Sequence, residues 1–191
     1  MNRIQKNVKL ICILTLLTML LGVKIAFTTG SKEIRKYSIP DHGVLELNVP
    51  ATWQEKVHKA QENLPPTIIF NPASETDFQV IITLFWSKKG EQGFNSADKV
   101  RKLVDQEGKK LLPQAVETKI LLKEIKGTNN NGYYFSLTDK APNPGEYRYM
   151  TRGGIGVGNL LLSLTVLHRV KDSESVEAAL SALREAKQIA K

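Results

Sequence analysis

The run YMTRGGIGVGNLLLSLTVLH, Tyr149 to His168, leaves the chain little freedom. Two alternating, apolar stretches flank Gly158-Asn159, a pair suited to a two-residue hairpin turn in which positive φ is tolerated or demanded. Placing that turn fixes the register residue by residue. On one side of the sheet Val157 faces Leu160, Ile155 faces Leu162, Gly153 faces Leu164, Thr151 faces Val166 and Tyr149 faces His168. On the other side lie Gly156 with Leu161, Gly154 with Ser163, Arg152 with Thr165, Met150 with Leu167 and Arg148 with Arg169. The first side is large and apolar and is expected to be core beneath a helix. The second carries a patch without bulk, Gly154, Gly156 and Ser163, bordered by Arg148 and Arg152.

Four glycines within GGIGVG also invite comparison with phosphate-binding loops. A dinucleotide fingerprint needs Gly at i, i+2 and i+5, and the position that would complete Gly154 and Gly156 is Asn159. A P-loop needs Gly-Lys-Ser/Thr opening a helix, whereas Asn159 leads into a strand without lysine. Nucleotide capture is therefore excluded here. Glycines inside a strand mark a bulge or the close approach of another backbone or a ligand. Two readings follow for the patch: a helix packed close over it, or a shallow anion or peptide site walled by the two arginines.

The remaining elements follow from pattern. VLELNV alternates as a half-buried strand that ends at Pro50-Ala51-Thr52-Trp53, and WQEKVHKA is ambiguous between strand and helical turn. TIIFNP and DFQVIITLFW read as a hairpin about Ala73 to Thr76. A helix starts at an Asn95 or Ser96 cap, repeats Ala97, Val100, Leu103, Val104 and Leu111, and stops at Pro113, with Gly108 a weak point. Asn129-Asn130-Asn131-Gly132 predicts a third hairpin, and Ala141 to Gly145 a loop. Capped by Asp172 or Ser173, a last helix carries Val176, Ala179, Leu180, Leu183, Ala186 and Ile189 as one stripe. Strands, helix, strands, helix in that order argue for an α+β domain with a mainly antiparallel sheet and helices packed on it.

The first thirty residues are different. Arg3, Lys6 and Lys9 precede fourteen residues from Leu10 to Val23 that are almost all apolar, the pattern of a signal peptide and short of the roughly twenty needed to span a bilayer. Thr28-Thr29-Gly30 offers the cleavage site; since Lys24 interrupts the run, an uncleaved anchor is the alternative. Export to the periplasm or medium is expected, with residues 31–191 as one globular domain. Cys12, the single cysteine, falls in the leader, so the mature domain has no thiol or disulfide. Arg3, Lys6, Lys9 and Lys24 supply four of the eight net positive charges, which leaves +4. A basic excess of that size, with no cationic run interleaved with aromatics, points away from nucleic acid.

Catalytic and metal motifs are missing. His42, His58 and His168 have no paired spacing, Asp41-His42 reads as a solvated turn, and no GxSxG elbow is present. No cofactor and no metal are expected. His168 is expected half-buried beside Tyr149.

Pro50-Ala51-Thr52-Trp53, the Asn-Gly hairpin before Tyr133-Tyr134, and Gly145-Glu146-Tyr147-Arg148-Tyr149 with its following hairpin together resemble the PsbP-like domains. The resemblance covers roughly Lys36 to Lys187. It implies an α/β/α sandwich around a mainly antiparallel central sheet flanked by helices. It also implies a non-catalytic accessory role, with a protein partner near the membrane. The photosynthetic namesake's specialised N-terminal region has no counterpart here. The alternative function is a small anionic ligand binder or weak hydrolase built on Arg148, Arg152, Gly154, Gly156 and Ser163.

Overall fold

The computed structural model describes residues 31–190 apart from 62–63, 74–76, 88–90, 128–130 and 172–173. The expected leader, the helix caps Asp172 and Ser173, most of the turn at Ala73 to Thr76, and Asn129-Asn130 lie outside the described residues. The Gly158-Asn159 hairpin forms in the register read from the sequence. Strands β8 (Tyr149–Val157) and β9 (Leu160–His168) pair from Tyr149↔His168 to Val157↔Leu160, and Gly158 has φ of 58°. Arg148 and Arg169 do not extend the ladder. The Arg148 carbonyl accepts instead from the Asp139 amide at 2.8 Å, and the Arg169 amide donates to the Asp77 carbonyl at 3.0 Å.

Around this hairpin the described strands β3 (Trp53–His58), β4 (Thr67–Pro72), β5 (Phe78–Phe85), β6 (Lys123–Lys126) and β7 (Asn131–Thr138) complete an antiparallel sheet in the order β3-β4-β5-β9-β8-β7-β6. A second, three-stranded sheet joins β1 (Lys32–Ile39), β2 (Gly43–Pro50) and β10 (Lys187–Ile189). Helix α1 (Ala97–Leu111) follows β5, and α2 (Glu174–Arg184) follows β9.

The alternation of β8 and β9 then sorts the layers. Ile155, Leu162, Leu164 and Val166 form one buried cluster with Leu45 and Leu47 of β2 and Leu180 and Leu183 of α2. Each such side chain, fully buried, contributes about 1.5–3 kcal/mol relative to exposure. On the opposite face Phe135, Leu137 and Leu161 pack beneath Val100 and Val104 of α1. The domain is α+β and mainly antiparallel. The sandwich flanked by helices holds in part, because the small sheet shares one face with α2.

Local details either differ from the sequence pattern or resolve what it left open. The polar stretch KEIRK belongs to β1, since pairing with β2 needs backbone and not side-chain hydrophobicity. WQEKVH is a strand. The expected hairpin forms between β6 and β7, but Asn131-Gly132 opens β7, pairing with Lys126 and Ile125, rather than sitting in the turn. The last helix ends at Arg184, so Ala186 and Ile189 leave its stripe, and Ile189 sits in β10 instead. Gly108 is not a defect of α1 but room for packing: a Cβ there would lie 3.0 Å from the Ile120 side chain.

β10 is short, and its Gln188 side chain adds to the backbone pairing with β2. Gln188 Nε2 donates to the His42 carbonyl and to Asn159 Oδ1, both at 2.6 Å, and its Oε1 accepts from the Asn159 amide at 2.7 Å. The turns at His42 and Asn159 are thereby tied to β10. Gln188→Ala is expected to lower stability by about 2 kcal/mol, at about 1 kcal/mol per hydrogen bond with partial rescue by water. Urea unfolding measures it, and a loss below about 0.5 kcal/mol would show the tie to be dispensable.

The two sheets are latched as well. Arg35 of β1 reaches Glu55 at 3.2 Å, Glu33 at 2.6 Å and the Trp53 carbonyl at 2.6 Å, lying over the Phe70 ring. Tyr37 donates its hydroxyl to the same Glu55 carboxylate. Burial, then the hydrogen bond to Glu55 and its charge, push the Tyr37 phenol far above its ordinary value. The phenol is a weaker acid folded than unfolded. Its contribution is therefore complete below the unfolded value of about 10 and is lost as pH rises above it. Wild type is expected to lose up to about 1.4 kcal/mol per pH unit more than Tyr37→Phe above pH 10. Equal alkaline slopes in the two proteins would remove Tyr37 from this role.

Candidate functional site

The glycine patch has two fates. An added Cβ at Gly156 would sit 2.5 Å from the backbone carbonyl of Asn95, so the loop entering α1 lies directly on that glycine. At Gly154 the nearest atoms are the Leu162 carbonyl at 3.3 Å and side-chain carbons of Leu161 and Val100 at 3.6 and 3.7 Å. The edge of α1, at Val100, thus comes to ordinary van der Waals distance of Gly154. Beside that edge a groove of about 470 Å³ remains open.

Its floor is Gly153, Gly154 and Ser163; one wall is Leu103, Val104 and Glu107 of α1, and the other is Phe85 and Trp86 at the end of β5. Phe94 and Phe135 complete the apolar lining. Phe85 and Leu103 remain 40% and 43% exposed, which leaves two large apolar side chains facing solvent across one groove. Arg152 enters from β8 and pairs with Glu107, Nη2 to Oε2, at 3.1 Å. Trp86 is held from behind by the His42 ring, with centroids 4.8 Å apart.

Of the five residues singled out by sequence, the structure brings Arg152, Gly154 and Ser163 together in this groove. Gly156 is covered by Asn95. Arg148 lies outside the groove, in a smaller hollow of about 170 Å³ with Tyr147, Met150 and Leu167. Beside that hollow Glu117 accepts from the amide and hydroxyl of Thr138 at 2.8 and 2.9 Å. Burial raises its carboxyl, but these bonds outweigh burial and hold it below the usual range. His168 stacks on Tyr149 at 5.4 Å as expected, though it is 5% exposed rather than half-buried.

The groove's aromatic wall was not found by sequence reasoning. Phe85 and Trp86 end a run already explained as a strand, and Phe94 sits in a loop. One signal was available: Leu103 lies about 100° around the helix from Val104, off the line through Val100, Val104 and Leu111. A large apolar residue off the core stripe is a surface feature.

Chemically, the groove offers apolar contact, one hydroxyl and one ion pair, and no imidazole or thiol stands among its described lining residues. Among the described residues no three His, Cys, Asp or Glu side chains converge as a metal site. No described helix is long and apolar enough to cross a membrane.

No family model matches the sequence, and neither does any curated protein. Among solved structures, the solution structure of cyanobacterial PsbP (CyanoP) from Synechocystis sp. PCC 6803 superposes with a TM-score of 0.50 at 11% identity, covering 89% of this chain and 99% of that one. The fold is PsbP-like. A crystal structure from Bacteroides thetaiotaomicron VPI-5482 is 15% identical with a TM-score of 0.48, over 81% of this chain and 48% of that one. In the PsbP-like fold of this chain, the groove lies between α1 and the ends of β5 and β9.

Proposed function

We propose that this protein is an exported, non-catalytic accessory domain that docks an apolar segment of a protein partner near the membrane. The observation that carries the reading is the pair of exposed apolar walls, Phe85 and Leu103, facing each other over a floor kept flat by Gly154. Exposed apolar surface organised into a groove marks a binding site more often than scattered exposure does. Export is inferred from the basic start and apolar run of residues 3–23. The PsbP-like fold supports an accessory role by analogy of architecture alone.

A small-anion site is the second reading, favoured by Arg152 and Ser163 sharing the groove floor. It is the weaker one, because an anion at Arg152 must compete with Glu107 at 3.1 Å. Crosslinking in intact cells followed by pull-down tests the proposal. One partner recovered with wild type and lost with Phe85→Asp is the expected result; recovery undiminished in Phe85→Asp overturns the groove as the docking site.

A further inference from the structure

We infer that the groove takes an extended acidic peptide segment with one bulky apolar side chain near its centre, an inference that rests on the groove being the docking site. At 100° per residue, Lys99, Leu103 and Lys110 project within about 40° of one another, so they form one ridge along the helical wall. Lys99 and Lys110 are exposed, and eleven residues of helix separate them by about 16 Å. Leu103 stands between them.

Below the ridge a single carboxylate serves two cations. Glu107 Oε1 accepts from Lys110 at 3.0 Å and its Oε2 from Arg152 at 3.1 Å. Counting Lys99, three cations face one carboxylate, so the site favours an occupant of negative charge. The bias extends outward: residues 97–171 hold thirteen Lys and Arg against seven Asp and Glu, while 31–96 and 172–191 together are slightly acidic. Complementary charge of this kind speeds encounter and selects the partner.

Span decides between an ion and a peptide. A small anion at Arg152 cannot also neutralise Lys99. An extended chain rises about 3.3 Å per residue, so about five residues cover the ridge. The space between Leu103 and Trp86 then receives the side chain at the middle of that stretch, which is the usual division of labour in peptide grooves: apolar anchor in a pocket, polar groups on the rim.

The test uses three blocked synthetic heptapeptides titrated into protein purified from cells expressing the full chain, followed by amide resonances of Gly154 and Ser163 and the Trp86 indole. One has a central leucine flanked by Asp and Glu, the second the same leucine flanked by Lys, and the third an alanine centre in the acidic frame. The acidic leucine peptide is expected to bind at least ten-fold tighter than either other, and Lys99→Glu to weaken it about five-fold. Equal binding of the acidic and lysine-flanked leucine peptides overturns the inference and leaves the groove reading standing. Failure of both leucine peptides to move these resonances overturns both. Saturation by sodium acetate at the same sites, with the acidic peptide no tighter, overturns it in favour of a small anion.

Discussion

Replacing Gly156 with alanine is expected to destabilise the fold by about 2–4 kcal/mol, whereas Gly154→Ala, two residues away on the same face, is expected to change stability by less than about 1 kcal/mol. The difference lies in what can move. At Gly156 the obstruction is a backbone carbonyl, that of Asn95, 2.5 Å from the added carbon. Its loop is pinned, because Asn95 Nδ2 donates to the carbonyls of Gly158 and Leu160 at 3.0 and 2.7 Å. Relieving the clash breaks those bonds or bends β8. At Gly154 the nearest atoms lie at 3.3 Å or beyond, and alanine gains about 0.4–1 kcal/mol by restricting the unfolded chain. Thermal melting of the two variants separates them, with Gly156→Ala falling by roughly 5–12 °C. Comparable melting temperatures would mean that the loop yields and that Gly156 is not a packing glycine.

Leu103→Asp is expected to reduce partner binding at least ten-fold while leaving the melting temperature within about 2 °C of wild type. Leu103 is 43% exposed and projects off the core stripe, so little burial is lost in folding. In the complex, the aspartate would be buried against Phe85 and Trp86 and would meet an acidic occupant. Co-purification after crosslinking reads the first quantity and a thermal scan the second. Undiminished co-purification would place the contact elsewhere on the surface.

The register of the hairpin at Gly158-Asn159 was legible because a two-residue turn leaves it no freedom, and every pair from Val157↔Leu160 to Tyr149↔His168 followed, though the next pair, Arg148 with Arg169, did not form. That α1 would be amphipathic was equally legible. What lay beyond local pattern was long-range docking. β1 is mostly polar along its outer side, with Lys32, Lys36 and Ser38 beside Ile34, and its strand is completed by the hydrogen bonds that β2 supplies. Ile189 has the right spacing for a helix, yet Gln188 is drawn into the turn at Asn159 and the chain follows it into β10. For the site, sequence placed Arg152, Gly154 and Ser163 on one face but had no means to show that the Asn95 loop would cover Gly156 while a groove stays open beside Gly154. The opposite wall, Phe85 and Trp86, is remote in sequence from all three.

The proposed function turns on the groove between α1 and the end of β5. The most direct measurement is site-specific photocrosslinking in intact cells, with the probe placed at Phe85 in one protein and at Ile34, exposed on the small sheet's outer side, in another. A discrete adduct from position 85 that is absent from position 34 and disappears with Leu103→Asp is the predicted result. Adducts of equal yield from both positions, or one from position 34 alone, would contradict it.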